Sequence, residues 1–184
     1  MSTVIAFLGS PRKNGASTQL VIKAIEGAKA AGAEVVIYDM NDDEIKGCQC
    51  CYYCRAHEGC ATKDKLQPMY EQIKEADGII ASFPIFFHNI NSQGKKLIDR
   101  LYPVIDGRFA PRYPGKKVIT VYSQANPKAE LFQKAIAKND SFFQSFGWEI
   151  TENLLAYGTG TPGYEVPQEL LDKAYEAGKA LVSQ

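Results

Sequence analysis

Several features that would assign this chain to a familiar class are missing. Neither charge is in surplus, with Lys plus Arg and Asp plus Glu at 21 each in 184 residues, so nothing points to nucleic acid or to a strongly acidic surface as partner. The longest apolar run, residues 78–87, is too short to span a bilayer and contains Pro84, which argues against membrane insertion. Met1-Ser2-Thr3 leads into an apolar stretch with no basic n-region, which argues against a signal peptide and for a cytoplasmic protein. No cysteine lies outside residues 48–60, so the five thiols read as a local site and not as a disulfide framework. There is no internal repeat and no linker, and the length suits a single domain over residues 1–184. No Ser-His-Asp set and no paired carboxylates stand out as a catalytic constellation.

What is present begins with residues 3–28. The short apolar run Thr3-Val4-Ile5-Ala6-Phe7-Leu8 has strand length. Leu20, Val21, Ala24, Ile25 and Ala28 have helical spacing. Between them lies Gly9-Ser10-Pro11-Arg12-Lys13-Asn14-Gly15-Ala16-Ser17-Thr18, and Ser17 or Thr18 is expected to cap the helix. A loop feeding a helix N-terminus is an anion site, because the first helical N–H groups lack intrahelical partners and sit at the positive end of the dipole. Pro11 fixes the loop, while three hydroxyls, Arg12 and Asn14 offer donors suited to a phosphate monoester. An ordinary capped turn is the plainer alternative. The glycines match neither G-x-G-x-x-G nor G-x-x-x-x-G-K-[ST], so neither a dinucleotide bound in the Rossmann manner nor an NTP is expected.

Strand and helix patterns then alternate. Strands are expected at 34–38, 78–82, 117–122 and within 148–156. Helices are expected around Leu66–Ile73, from Ser92 as cap through Leu97, Ile98, Leu101 and Ile105, around Phe132–Phe143, and around Leu170–Leu181. Residues 39–65 form a polar, Cys-rich excursion, longer than most loops and for that reason of functional interest. Alternating strands and helices imply an α/β fold, a doubly wound five-stranded parallel sheet in the flavodoxin-like order 2-1-3-4-5 with helices on both faces. A ligand then sits beyond the carboxyl ends of the strands, where the loops after the first, third and fourth meet.

Those loops carry a resemblance. The first resembles the G-S-P-R-x-x-G-x-[ST] loop of flavodoxin-like FMN reductases. Ser82-Phe83-Pro84-Ile85-Phe86-Phe87-His88-Asn89-Ile90-Asn91-Ser92-Gln93 with Lys96-Leu97-Ile98-Asp99-Arg100 resembles the segment after the third strand of that family, and Ser123-Gln124-Ala125-Asn126-Pro127 resembles its T-Q-G-N-P turn. The chain is similar, over nearly its whole length, to the NAD(P)H-dependent FMN reductase superfamily in its iron–sulfur-flavoprotein-like branch. The resemblance implies FMN, its phosphate on Ser10, Pro11, Arg12, Asn14, Ser17 and Thr18, and its ring on Pro84, Ile85, Phe86, Phe87, His88 and Asn89 and on Ser123, Gln124, Ala125 and Asn126. It also implies hydride transfer from NAD(P)H, a small-molecule acceptor such as a quinone, a free flavin or iron, and a homodimer or homotetramer. The cofactor carries the chemistry, so no side chain is assigned as nucleophile or obligatory base. Read without the resemblance, Phe86 and Phe87 could tuck under the sheet edge, Asn126-Pro127 could be a plain turn, and His57 and His88 could be surface residues.

Cys48, Cys51, Cys54 and Cys60 stand at C-x2-C-x2-C-x5-C, close to the ferredoxin run that holds a [4Fe–4S] cluster. Four thiols this close also suit tetrahedral zinc, or remain free. Cys50 stands where the resembled family usually has glycine, and Lys65 follows Asp64 where it usually has a second aspartate. The three readings therefore stay open. With a cluster, ferredoxin becomes a candidate partner, and an electron carrier without NAD(P)H turnover or a redox-sensing module becomes the competing function. Small flavodoxins are strongly acidic, and the neutral balance here favours the enzyme.

Overall fold

Every strand expected from the sequence forms in the computed structural model, which describes residues 2–182. In chain order the elements are β1 (Thr3–Leu8), α1 (Ala16–Ala30), β2 (Glu34–Asp39), the single turn α2 (Tyr53–Ala56), α3 (Met69–Glu75), β3 (Gly78–Phe86), β4 (Asn89–Ile90), α4 (Ser92–Arg100), β5 (Lys117–Ser123), α5 (Gln133–Ser145), β6 (Glu149–Ala156) and α6 (Gln168–Val182). Short 3-10 turns at Tyr102–Val104 and Ala129–Phe132 complete the set. The parallel path runs β2-β1-β3-β5-β6, which is the expected order with five strands in it. A sixth strand was not expected: β4 folds back antiparallel on the end of β3, off that path.

The alternation of side chains along β1 shows how the layers form. Ile5 and Phe7 enter one buried cluster with Ile79, Phe83, Leu97, Phe143 and Trp148, beneath α3, α4 and α5. Val4 and Ala6 enter the other with Val21, Ala24, Ile80, Val121 and Leu181, beneath α1 and α6. The two helices of that second layer approach to backbone contact. A Cβ on Gly178 would lie 1.9 Å from the Ala24 carbonyl oxygen, so glycine is what permits the crossing.

Four local expectations are corrected. Neither Ser17 nor Thr18 caps α1; Gly15 takes the cap position in extended backbone, and the Thr18 hydroxyl instead donates to the Arg12 carbonyl at 2.9 Å. The cap of α4 is Asn91, not Ser92, its Oδ1 accepting from the Gly94 N–H at 3.1 Å. That helix ends at Arg100 and leaves Ile105 outside, since Pro103 follows at once with no N–H to continue it. Strand β3 does not stop at Ser82; Phe83 and Pro84 pair with Tyr122 and Ser123 of β5, so the apolar segment begins as sheet. No helix among the described residues is long and apolar enough to cross a membrane.

Candidate functional site

The loop of residues 9–15 is fastened to the neighbouring strand and helix before any ligand is considered. The Gly9 N–H donates to Ser82 Oγ at 2.9 Å, and Asn91 Nδ2 donates to the Gly9 carbonyl at 2.6 Å. A Cβ on Gly9 would fall 2.0 Å from the Ser82 carbonyl oxygen, so the close approach requires glycine. Inside the loop, Ser10 Oγ accepts from the Arg12 N–H at 3.2 Å, and the Gly15 N–H donates to the Arg12 carbonyl at 3.1 Å. The result is a cradle opening on a cavity of about 450 Å³ lined by Ser10, Pro11, Arg12, Asn14 and Ser17.

Ser17 is the informative residue in that cradle. Its side chain is almost fully buried, and its Oγ finds no hydrogen-bond partner in the chain. A buried hydroxyl is rarely left so, because the desolvation it suffers goes uncompensated. The guanidinium of Arg12, the amide of Asn14 and the dipole of α1 serve the same cavity, and the donor set fits a phosphate monoester. Thr18, expected among the phosphate ligands, stands outside the cavity wall with its hydroxyl committed to the Arg12 carbonyl.

The expected ring loops divide in the same way. Pro84, Ile85, Phe86, Ser123 and Ala125 stand in the wall of the cavity. Gln124 and Asn126 stand behind it and shape the turn: Gln124 Nε2 donates to the Asn126 and Lys128 carbonyls at 3.2 and 2.6 Å, and Asn126 Oδ1 accepts from the Lys128 N–H at 2.9 Å. Phe87, His88 and Asn89 lie beyond the wall at the β3–β4 hairpin, where the His88 ring meets Phe132 edge-on with centroids 5.0 Å apart.

Four further wall residues are Thr159, Gly160, Tyr164 and Val166: the sequence left residues 157–161 open as a contact with the ligand or a neighbouring subunit, and Tyr164 and Val166 escaped it. They come from the segment after β6, which is stitched to the turn after β5. The Gly158, Thr159 and Gly160 N–H groups donate to the Asn126, Gln124 and Ala125 carbonyls at 2.8, 3.1 and 3.3 Å. No helical or strand period marks such a segment, and its glycines were the only signal. Burial, with the Tyr157 ring next to it, pushes the Tyr164 hydroxyl above its ordinary value and keeps it neutral.

All five cysteines line a second and larger cavity of about 580 Å³, walled by Ile98, Tyr102, Pro103, Ile105, Phe142 and Phe146. Its floor is a buried ion pair. Arg100 donates to both oxygens of Asp64, at 2.5 and 3.1 Å, and to the Lys46 carbonyl at 2.7 Å, with Tyr70 Oη at 2.9 Å from its Nε. Burial works against ionisation of Asp64, but Arg100 and the Lys46 and Leu66 N–H groups prevail and hold its carboxyl below the usual range. Burial likewise opposes ionisation of Cys60, yet hydrogen bonds from Thr62 and Tyr70 and the charge of Arg100 bring its thiol below its ordinary value. Cys54 goes the other way, raised by burial first and then by the thiols of Cys60, Cys48 and Cys51. Four thiols at iron–sulfur spacing facing one cavity are the donor chemistry of a soft metal centre. As they lie, no three His, Cys, Asp or Glu side chains among the described residues converge on one ion.

Comparisons with known proteins bear on the family and the fold. The family model for NADPH-dependent FMN reductase matches residues 2–137. An iron–sulfur flavoprotein of Methanocaldococcus jannaschii is 35% identical over 101 residues, 55% of this chain and 52% of that protein. The match thus spans about half the length of that relative. An iron–sulfur flavoprotein of Archaeoglobus fulgidus is 27% identical over 181 residues, 96% of this chain and 77% of that protein. Among solved structures, an NAD(P)H:quinone oxidoreductase from Methanothermobacter marburgensis superposes with a TM-score of 0.70 at 18% identity, covering 100% of this chain and 98% of that one. At that identity the likeness speaks for the shared flavodoxin-like fold alone.

Proposed function

This chain belongs to the NADPH-dependent FMN reductase family, and from that premise we propose that it is an FMN-dependent oxidoreductase taking hydride from NAD(P)H and passing electrons to a quinone, a free flavin, iron or a similar acceptor. The observation that carries the proposal is the unpartnered, buried Oγ of Ser17 in the wall of a cavity that also holds Ser10, Arg12 and Asn14. FMN, when bound, supplies the hydride chemistry. The chain's own residues bind and orient: Ser10, Arg12, Asn14 and Ser17 hold the phosphate, with Pro11 setting the loop and Thr18 keeping the Arg12 carbonyl in place. Pro84, Ile85, Phe86, Ser123 and Ala125 hold the ring on one side, and Thr159, Gly160, Tyr164 and Val166 form the other wall and exclude water. Gln124 and Asn126 serve the ring indirectly, by shaping the turn. Residues 1–184 act as one FMN-binding domain in this reading, with the Cys-rich excursion between β2 and α3 as an appendage.

A second reading is favoured by the thiol cavity and by relatives named as iron–sulfur flavoproteins. There Cys48, Cys51, Cys54 and Cys60 hold a cluster, and the chain carries electrons between redox proteins, ferredoxin among them. One anaerobic preparation tests both, by assay of FMN, iron, sulfide and zinc per chain and of NAD(P)H oxidation with a quinone as acceptor. Stoichiometric FMN with NAD(P)H turnover supports the first reading. About four irons and four sulfides per chain without NAD(P)H turnover supports the second. Failure to take up FMN on reconstitution overturns both.

A further inference from the structure

The thiol cavity is held unevenly, and the unevenness assigns a role to a residue outside it. Cys54 sits on the single turn α2, which could not persist alone at four residues. Two arginines hold that turn. Arg55 reaches outward, its Nη1 2.6 Å from Tyr102 Oη and its Nη2 2.5 Å from the Gly107 carbonyl, with its guanidinium 3.9 Å above the Phe109 ring. Arg112 reaches inward from the following segment. Its Nη2 donates to the Cys54 and His57 carbonyls at 3.3 and 3.5 Å, and its Nε donates to the Ile105 carbonyl at 3.3 Å. A cation on the last carbonyls of a turn is where backbone acceptors are otherwise orphaned.

Cys60 is fixed as firmly, because Gln67 Nε2 donates to its carbonyl at 2.6 Å and to that of Thr62 at 2.5 Å. Residues 47–51 have no such anchor. The contacts recorded there are local: Gln49 Nε2 to the Gly47 carbonyl at 2.9 Å, and the Cys50 N–H to Cys48 Sγ at 3.5 Å. Cys48, Cys50 and Cys51 are exposed, and both Cys50 and Tyr52 take left-handed backbone at φ 53° and 56°. Two thiols are thus preset and the rest lie on an untethered arm, which accounts for a cavity lined by five cysteines in which no three converge.

We propose that Arg112 is a positioning residue for a thiolate metal centre: it fixes the Cys54 carbonyl so that Cys54 and Cys60 form a preset half-site, on which the Cys48–Cys51 arm closes when a soft metal binds. The inference rests on the thiol cavity taking a metal centre and is independent of FMN. The probe is Co²⁺ added anaerobically to the reduced holoprotein, read by its thiolate-to-metal charge-transfer band and by competition with Zn²⁺. Arg112→Met should weaken Co²⁺ binding by about tenfold or more, the usual size of the loss when a group that orients a ligand is removed. Arg112→Lys, which can still donate to the Cys54 carbonyl, should restore most of the affinity and the wild-type band shape. FMN content should stay at the wild-type level in both, showing that the fold is intact. Should the wild-type protein give no charge-transfer band, the metal reading fails and takes this inference with it. Equal affinity and band shape in wild type and Arg112→Met would sink the inference alone. If Arg112→Met loses FMN as well, Arg112→Gln decides, since its shorter side chain does not reach the Cys54 carbonyl: weakened Co²⁺ binding at full FMN content supports positioning, and wild-type affinity and band shape at full FMN content overturn it.

Discussion

The two cavities of this chain sit on one sheet and are secured by different means. The phosphate-loop cavity is built on the ends of β1, β3, β5 and β6, so the sheet ladder already fixes its walls to within a residue or two. What remains is fine adjustment, supplied by single hydrogen bonds such as Gly9 N–H to Ser82 Oγ and Asn91 Nδ2 to the Gly9 carbonyl. The thiol cavity draws about half of its wall, and all of its thiols, from an excursion with one short turn of helix, and there the chain uses buried charge, with Arg100 and Asp64 almost wholly out of water. A site on strand ends inherits its rigidity. A site on irregular chain must be given it, and a buried ion pair is costly to make but far costlier to leave half-made.

That contrast is broken most severely at Asp64. Asp64→Ala leaves the Arg100 guanidinium buried without its counter-charge, an expected loss of about 3–5 kcal/mol in the stability measured by denaturant unfolding. Proteolysis should then open first within residues 39–65. The same residue sets an acid limb. Its folded-state pKa lies below the unfolded value of about 3.9, so its contribution is present above that pH and is lost as pH falls through the lower, folded value. Asp64→Asn should flatten that limb relative to wild type in unfolding curves collected across it. An acid limb of unchanged steepness in Asp64→Asn would show that some other carboxylate governs it.

At the other cavity the most damaging change is Gly9→Ala. The added methyl meets a strand carbonyl and not a flexible side chain, so the loop must shift at an expected stability cost of about 1–3 kcal/mol. FMN retention should fall with it, because Ser10 and Arg12 move with the loop. A variant of wild-type stability that retains FMN would mean the loop is less tightly set than its hydrogen bonds indicate.

The two cavities also differ in how far the sequence disclosed them. The first was legible because its parts carry period or punctuation: a strand, a Gly-bracketed loop of donors, a helix, and the loops that a doubly wound order brings together. The misses there have local causes. Ser17 and Thr18 resembled caps, but an extended Gly15 closes the helix start without a side chain, freeing one hydroxyl for the cavity and the other for the Arg12 carbonyl. Thr159 to Val166 have no period, and backbone bonds to the turn after β5 decide their place. The thiol spacing was plain in the sequence, but its setting was not. Arg112 is separated from Cys54 by 58 positions, and Asp64 from Arg100 by 36, and no periodicity links residues across such distances.

Ser17 and Thr18 turn the contrast into a paired measurement within one loop. Ser17→Ala removes a hydroxyl with no partner in the chain, so folding stability should stay within about 0.5 kcal/mol of wild type. FMN affinity should fall by about tenfold or more, because a hydrogen bond to a charged group is worth about 1.5–3 kcal/mol. Thr18→Val should do the reverse, costing about 1 kcal/mol of stability by removing one hydrogen bond to the Arg12 carbonyl, which keeps that of the Gly15 N–H, while FMN affinity changes less. Fluorescence titration with FMN beside thermal unfolding separates the two. Equal behaviour of the two variants would remove the argument that Ser17 faces a ligand.

The smallest expected effect lies at the hairpin beyond the wall of the first cavity, and its sign is the point of interest. Phe86 pairs with Asn89, so Phe87 and His88 form a two-residue turn with φ values of 47° and 64°, both left-handed without glycine at either position. The left-handed backbone costs about 1–2 kcal/mol at a residue bearing a Cβ, and glycine gives back about 0.5–1 of the relief through its larger unfolded entropy. Phe87 is fully exposed in the single chain and loses no burial on truncation. Phe87→Gly should therefore raise stability slightly, by less than about 1 kcal/mol, read as an upward shift in Tm. His88→Gly should gain less, because it gives up the edge-on contact with Phe132. A fall in Tm for Phe87→Gly that disappears on dilution would mean that the ring is covered in solution, and a homodimer contact beside the first cavity would then be what keeps an exposed phenyl in a strained turn.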